Sequence, residues 1–123
     1  MVKVGLLVLS DTRGTDDKPD RCIPAISDFL KNNGFLVVKT GICRDEIEPI
    51  REIIKEWGDG KSVNVILTSG GTGVSPRDVT PEATRPLLDR EIPGIPEAMR
   101  AASLQKSPNG LISRGVAGLM GDI

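Results

Sequence analysis

The stretch SGGTGVSPRDVTPEAT, Ser69 to Thr84, decides how this chain is read. It follows an apolar run, Val63 to Leu67, with the β-branched composition of a buried strand. Gly70, Gly71 and Gly73 carry no Cβ, so the backbone there can adopt positive φ and bring N–H groups close to an anion. Thr80 is then placed to cap a helix, Pro81 suits the first helical position, and Glu82 suits the positive end of the helix dipole. Arg77 and Asp78 stand between turn and helix, where the strands of a parallel α/β sheet open into a crevice. No Gly-Lys-Ser/Thr follows the glycines, so this is not a P-loop, and it is not GxGxxG. From these residues alone two readings stand side by side, a phosphate cradle and a structural turn.

Outward from that stretch the pattern alternates. Val2 to Leu9 predicts a central strand, followed by the polar loop SDTRGTDDKPDR from Ser10 to Arg21. Ile23, Ile26, Phe29 and Leu30 recur at helical spacing, and Asn33-Gly34 stops that helix. Phe35 to Thr40 reads as a second strand. Asp45 opens the next helix with Glu48 in capping-box position, and Ile47, Ile50, Ile54 and Trp57 mark its buried face. With a third strand over Val63 to Thr68, the first half reads β-α-β-α-β, which predicts a parallel sheet with right-handed crossovers. The second half predicts a helix over Thr80 to Arg90 that Pro86 shortens or kinks, another from Pro96 to about Gln105, and a short strand or ordered loop over Leu111 to Arg114. The fold class is therefore α/β, a three-layer α/β/α domain with a mostly parallel central sheet.

Composition narrows the chemistry. One domain of 123 residues with two Phe, one Trp and no Tyr must build an aliphatic core. A net charge of −1 offers no global field for nucleic acid or an anionic membrane, so neither is expected as a partner. The absence of histidine removes imidazole bases and His-ligated zinc. Cys22 and Cys43 are too few and too far apart for CxxC chemistry; two reduced thiols of a cytoplasmic protein fit best, with a disulfide left open. MVKVGLLVLS reads as a first strand and not as a targeting peptide, and no apolar stretch reaches the length of a membrane span.

In a parallel sheet the loops after the first three strands reach one edge, so Asp11, Asp45 and Asp78 can converge there. Converging carboxylates repel unless they share a cation, and octahedral Mg2+ with oxygen ligands and substrate phosphates is the natural solution without His or CxxC. Singly, each has a plainer reading: Asp45 as an N-cap, Asp11 as a turn residue, Asp78 as a loop charge paired with Arg77.

SGGTG, PRDVTPEAT, EIPGIPEAMR and LISR, in this order and spacing, closely resemble the molybdenum-cofactor biosynthesis family of molybdopterin adenylyltransferases, MoaB proteins and the gephyrin domain. The resemblance covers nearly the whole chain. It implies a cytoplasmic enzyme of cofactor biosynthesis that moves AMP from Mg-ATP to the molybdopterin phosphate and releases pyrophosphate. On these residues it implies Asp45 and Asp78 as the catalytic and metal-binding acids, and Ser10, Asp11, Gly70, Gly71, Thr72, Gly73 and Arg77 around the nucleotide phosphates. Glu97, Arg100, Ser113 and Arg114 fall on the pterin side, with anion neutralisation resting on Arg77 or Arg114. Asp20 matches a second acid of the first loop, where Cys22 stands in place of a common glycine and Gly14 is the loop's own. The resemblance also implies a trimer, with a hexamer as the other assembly. It further implies a final strand, a Pro-Gly turn and a helix, of which these 123 residues contain none. The expectation is thus a C-terminally short domain, either a fragment or a variant completed by another subunit, with weakened turnover. Two alternatives stand beside it: MoaB-like molybdopterin binding without adenylylation, which keeps the same motifs, and a structural, oligomer-forming role, which needs an exposed apolar surface and no metal.

Overall fold

A strand buried from both sides needs a continuous apolar run, and β1 (Lys3–Leu9) is buried at every position from Val4 to Leu9. It is the middle of a three-stranded parallel sheet in the order β2-β1-β3, with β2 over Leu36–Cys43 and β3 over Val65–Ser69. The computed structural model describes residues 1–11 and 20–123; most of the polar loop after β1, Gly14 included, lies outside them. Between β1 and β2 runs α1 (Cys22–Asn32), and between β2 and β3 runs α2 (Ile47–Asp59). Because the chain grows to one side of β1 and then crosses to the other, right-handed crossovers lay α1 and α2 on opposite faces. That reversal creates a topological switch point between β1 and β3, and it fixes where a site can lie.

Alternation along the strands divides the core. On the α2 face Leu7, Leu9 and Cys43 pack with Ile50, Ile54, Trp57 and Ala83. The positions between, Val4, Leu6 and Val8, are equally buried on the opposite side. Trp57 lies across Gly5 and Gly41, whose absent side chains make room for the ring. A Cβ on Gly5 would sit 2.8 Å from Trp57 Cε3, and at this position the β1–β2 register also slips. Overpacking of this kind costs about 1–3 kcal/mol. Gly5→Ala should therefore lower the melting temperature by several degrees without touching the crevice, a result that thermal unfolding checks.

The second half is short and irregular, for reasons that proline and backbone pairing explain. Instead of one helix over Thr80 to Arg90, α3 covers Thr80–Thr84 and passes into a single 3-10 turn at Arg85–Leu87, because Pro86 has no N–H for a further α-helical bond. A two-residue strand β4 (Arg90–Glu91) pairs antiparallel with β5 (Gly118–Leu119), and between them lie α4 (Gly94–Leu104) and a 3-10 turn over Pro108–Ile112. Of the segment read as strand or ordered loop, Leu111 and Ile112 end this 3-10 turn, and Ser113 and Arg114 follow as irregular backbone. Two expected caps also differ. Asp45 precedes the capping position, which Glu46 holds without a side-chain bond, and Thr80 is the first residue of α3, behind Val79. At α1 the capping position is Arg21, and Asp20 just before it accepts the N–H groups of Cys22 and Ile23 at 3.0 and 3.1 Å. Cys22 and Cys43 are not joined to each other. Among the described residues no helix is long and apolar enough to cross a membrane.

The candidate phosphate crevice

At the switch point the exits of β1, β2 and β3 meet. Ser10 N–H continues the β1–β2 ladder onto Cys43 O at 2.8 Å, which delivers Asp11 beside the exit of β2. There Asp11 Oδ1 accepts the Asp45 N–H at 3.1 Å. From the β3 side Arg77 reaches back and places Nε and Nη2 on the two oxygens of Asp11, both at 2.9 Å. One carboxylate thus ties three loops together.

The glycine turn is held by its carbonyls. Gly70 and Gly71 have φ of 105° and 71°, which L-residues with side chains rarely adopt, and this curls the turn onto the start of α3. Thr80 Oγ1 donates to Gly70 O at 2.8 Å and Thr80 N to Gly71 O at 3.0 Å. Arg114 then takes the next two, with its N–H on Thr72 O and its Nε on Gly73 O, each at 2.7 Å. All four carbonyls from Gly70 to Gly73 are engaged. Among the described residues the N–H groups of Gly71, Thr72 and Gly73 donate to nothing. Successive amides left in this way form an anion-binding concavity.

Two carboxylates border the turn. Asp78 Oδ2 accepts the Ser75 N–H at 3.0 Å and would lie 2.8 Å from a Cβ on Gly73. Asp45 Oδ1 would lie 3.1 Å from a Cβ on Gly71; it is buried and has no hydrogen-bond partner. Burial pushes the Asp45 carboxyl above its ordinary pKa, and the charges of Asp11 and Asp78 add to that. Asp11 is shifted the other way, first by the Arg77 hydrogen bonds and then by the Asp45 N–H. Among the described residues no three acidic or cysteine side chains gather so as to hold an ion by themselves. The expected cage of Asp11, Asp45 and Asp78 is therefore not formed: Arg77 neutralises Asp11 before a shared cation is needed. The orphaned Asp45 oxygen nevertheless fits a divalent ion, since Mg2+ is commonly held by one or two carboxylates together with substrate phosphates.

Asp45 makes a pH prediction with a defined sign. Its folded pKa is raised above the unfolded value, so the unfolded chain ionises first as pH rises, and stability is lost across the window between the two values. At neutral pH the whole penalty is present. Asp45→Asn should melt higher than the parent at pH 7, and the gap should close as pH falls below the ordinary aspartate range. A variant that melts lower at pH 7 would contradict this.

The remaining sequence-derived residues separate into two groups. Arg100 Nη1 donates to the carbonyls of Ser113 and Gly115 at 3.4 and 3.3 Å, so Arg100, Ser113 and Arg114 are brought together. Arg114 also sets Nη2 on Asp78 O at 2.7 Å and grips Glu82 with Nη1 and Nη2 at 2.7 and 3.1 Å. Glu97 lies on the exposed side of α4. Arg51 escaped the sequence reading altogether: from α2 it donates to Ala83 O and Glu82 O at 3.2 and 3.1 Å and fixes the end of α3. Its local partner, Glu48 three residues earlier at 3.3 Å, gives no hint of this role, because the carbonyls it holds lie 32 and 31 residues away.

Fold and crevice together define a class, an α/β domain whose glycine turn and carboxylates gather at a topological switch point. The chain belongs to the family described as the probable molybdopterin binding domain, whose model matches residues 5–120. It is 38% identical over 120 residues to the molybdopterin adenylyltransferase of Haemophilus influenzae, covering 94% of this chain and 60% of that protein. It is 39% identical to molybdenum cofactor biosynthesis protein B of Staphylococcus aureus, covering 98% of this chain and 73% of the relative. Among solved structures, the molybdopterin biosynthesis enzyme MoaB of Thermus thermophilus superposes with a TM-score of 0.89 at 44% identity, over 98% of this chain and 76% of that one. The chain thus spans less than two thirds of the Haemophilus adenylyltransferase.

Proposed function

We propose that this chain acts in molybdenum cofactor biosynthesis as a molybdopterin adenylyltransferase. A phosphate oxygen of molybdopterin attacks the α-phosphorus of ATP, the bond to the bridging oxygen breaks, and pyrophosphate leaves with the electron pair. The observation that carries this reading is the glycine turn: four engaged carbonyls, three adjacent N–H groups without partners among the described residues, and a carboxylate on either side. Such a turn can hold triphosphate oxygens through amide dipoles, without lysine. Asp45 and Asp78 are the residues that would hold Mg2+, which would supply charge neutralisation on the phosphates. The chain's own work is positioning, and no covalent nucleophile is required. Ser10 and Asp11 border the nucleotide side, and Glu97, Arg100 and Ser113 the pterin side.

A second reading, molybdopterin binding without adenylylation, is favoured by one observation. Arg77 and Arg114 both direct their guanidinium donors to partners inside the protein, which leaves fewer cations for a triphosphate. Calorimetric titration separates the two. The enzyme reading expects Mg-ATP to bind with an affinity that chelation of magnesium removes, whereas the binding-only reading expects molybdopterin alone to titrate.

The reading carries with it a cytoplasmic location and self-association, as the trimer that the family resemblance implies. The outer edge of β3 is consistent with an assembly: a groove of 420 Å3 runs along Val65 to Thr68, lined on its far side by Ile95, Met99 and Leu119. Open strand edges and exposed aliphatics are what oligomers cover. Sedimentation at micromolar concentration should show a species larger than the monomer, and a clean monomer would count against the assembly.

A further inference from the structure

Arg100 and Arg114 are usually the kind of residue one assigns to anion neutralisation, yet both point their donors at carbonyls and a carboxylate of their own chain. Arg100 holds the carbonyls of Ser113 and Gly115, the residues on either side of Arg114. Arg114, fixed in this way, holds Thr72, Gly73, Asp78 and Glu82 through its backbone and side chain together. The contacts run in series from α4, through residues 113–115, into the glycine turn. They fill the Thr72 and Gly73 carbonyls, Thr80 fills those of Gly70 and Gly71, and the N–H groups of the turn stay open, which is the shape an anion needs.

We propose that Arg114 is a positioning residue for the phosphate turn and that Arg100 braces it from α4, so that neither is the cation that contacts substrate phosphate. The consequence for ligands rests on the proposed nucleotide reading; the brace itself does not. Planar guanidinium is required because its fork serves Gly73, Asp78 and Glu82 at once, and an ammonium cannot match that geometry. A lysine is by contrast a good point-charge ligand for phosphate. Arg114→Lys therefore separates the two roles. The arrangement also couples the two halves of the crevice, since whatever orders residues 113–115 orders the turn.

The test uses the full chain without ligand and then with Mg-ATP. Amide hydrogen exchange should speed up at Ser75, Asp78 and Thr80, whose N–H groups are hydrogen-bonded in and beside the turn, by about tenfold in Arg114→Lys and by a smaller factor in Arg100→Ala, with β1 unchanged. Mg-ATP affinity in Arg114→Lys should fall by about tenfold to a hundredfold, the scale on which small misplacements act, while its dependence on salt concentration stays that of the parent. Unchanged exchange in Arg114→Lys with affinity retained would overturn the proposal and make Arg114 a direct anion ligand. Unchanged exchange in Arg100→Ala alone would overturn the serial arrangement. If the parent binds no Mg-ATP but exchange in the turn still rises in both variants, the brace stands and the nucleotide reading fails.

Discussion

Asp78→Asn is expected to weaken Mg-ATP binding by about a hundredfold or more while leaving the melting temperature nearly unchanged, since it removes one of the two carboxylates that would hold the Mg2+ of the nucleotide. The structural part of Asp78 survives the change. Its Oδ2 accepts the Ser75 N–H at 3.0 Å, and its backbone N–H closes the turn onto Ser75 O at 2.9 Å; an asparagine oxygen keeps the first and the backbone keeps the second. Arg114 still holds the residue 78 carbonyl. What disappears is the negative charge beside the cradle, so the loss should be greatest with magnesium present and small for magnesium-free AMP. Calorimetry with and without chelator reads this directly. An Asp78→Asn protein that melts early but titrates normally would assign the residue to the turn alone.

A loss of similar size is expected from Gly71→Ala. At φ of 71° an alanine is strained by roughly 1–2 kcal/mol. Its Cβ would also run into Thr80 Oγ1 and approach Asp45 Oδ1 to 3.1 Å. Neither neighbour is free to move: Thr80 pins two carbonyls of the turn, and Asp45 is anchored through its N–H to Asp11. The N–H groups should lose their common centre and nucleotide affinity should fall by about two orders of magnitude. Gly34→Ala is the control. Gly34 has φ of 86° but nothing lies within 4 Å of its Cβ position, so it should lose stability through the same backbone strain, without the clashes, and lose no affinity. Equal affinity losses in the two variants would mean that general destabilisation, and not the cradle, is being measured.

The parts of this molecule written in local pattern were legible. Val4 to Leu9 is apolar without interruption because β1 is covered on both faces, and Ile50, Ile54 and Trp57 recur as one helix face because they share one partner surface. From β-α-β-α-β the crevice followed, and with it the meeting of Asp11, Asp45 and the glycine turn. Capping was misread where tertiary bonds compete with local ones. Thr80 has the chemistry of a cap, but the curled glycine turn offers its hydroxyl a carbonyl at 2.8 Å. Phe29 keeps helical spacing with Leu30 yet is 67% exposed, since α1 buries only a narrow stripe. Roles of the arginines were least accessible. Arg77 finds Asp11 across 66 residues and Arg114 finds Gly73 across 41, and no periodicity encodes such pairings. Sequence supplied the cations of the site; only the fold reveals which of them are already engaged.

The central claim is adenylyl transfer at this crevice, and the most direct measurement is pyrophosphate release from Mg-ATP with and without molybdopterin, at saturating concentrations of both. The account predicts release that requires molybdopterin, that yields adenylylated molybdopterin in equal amount, and that falls by about two orders of magnitude in Asp78→Asn. Binding of both ligands with no molybdopterin-dependent pyrophosphate, or release that is untouched in Asp78→Asn, would contradict it.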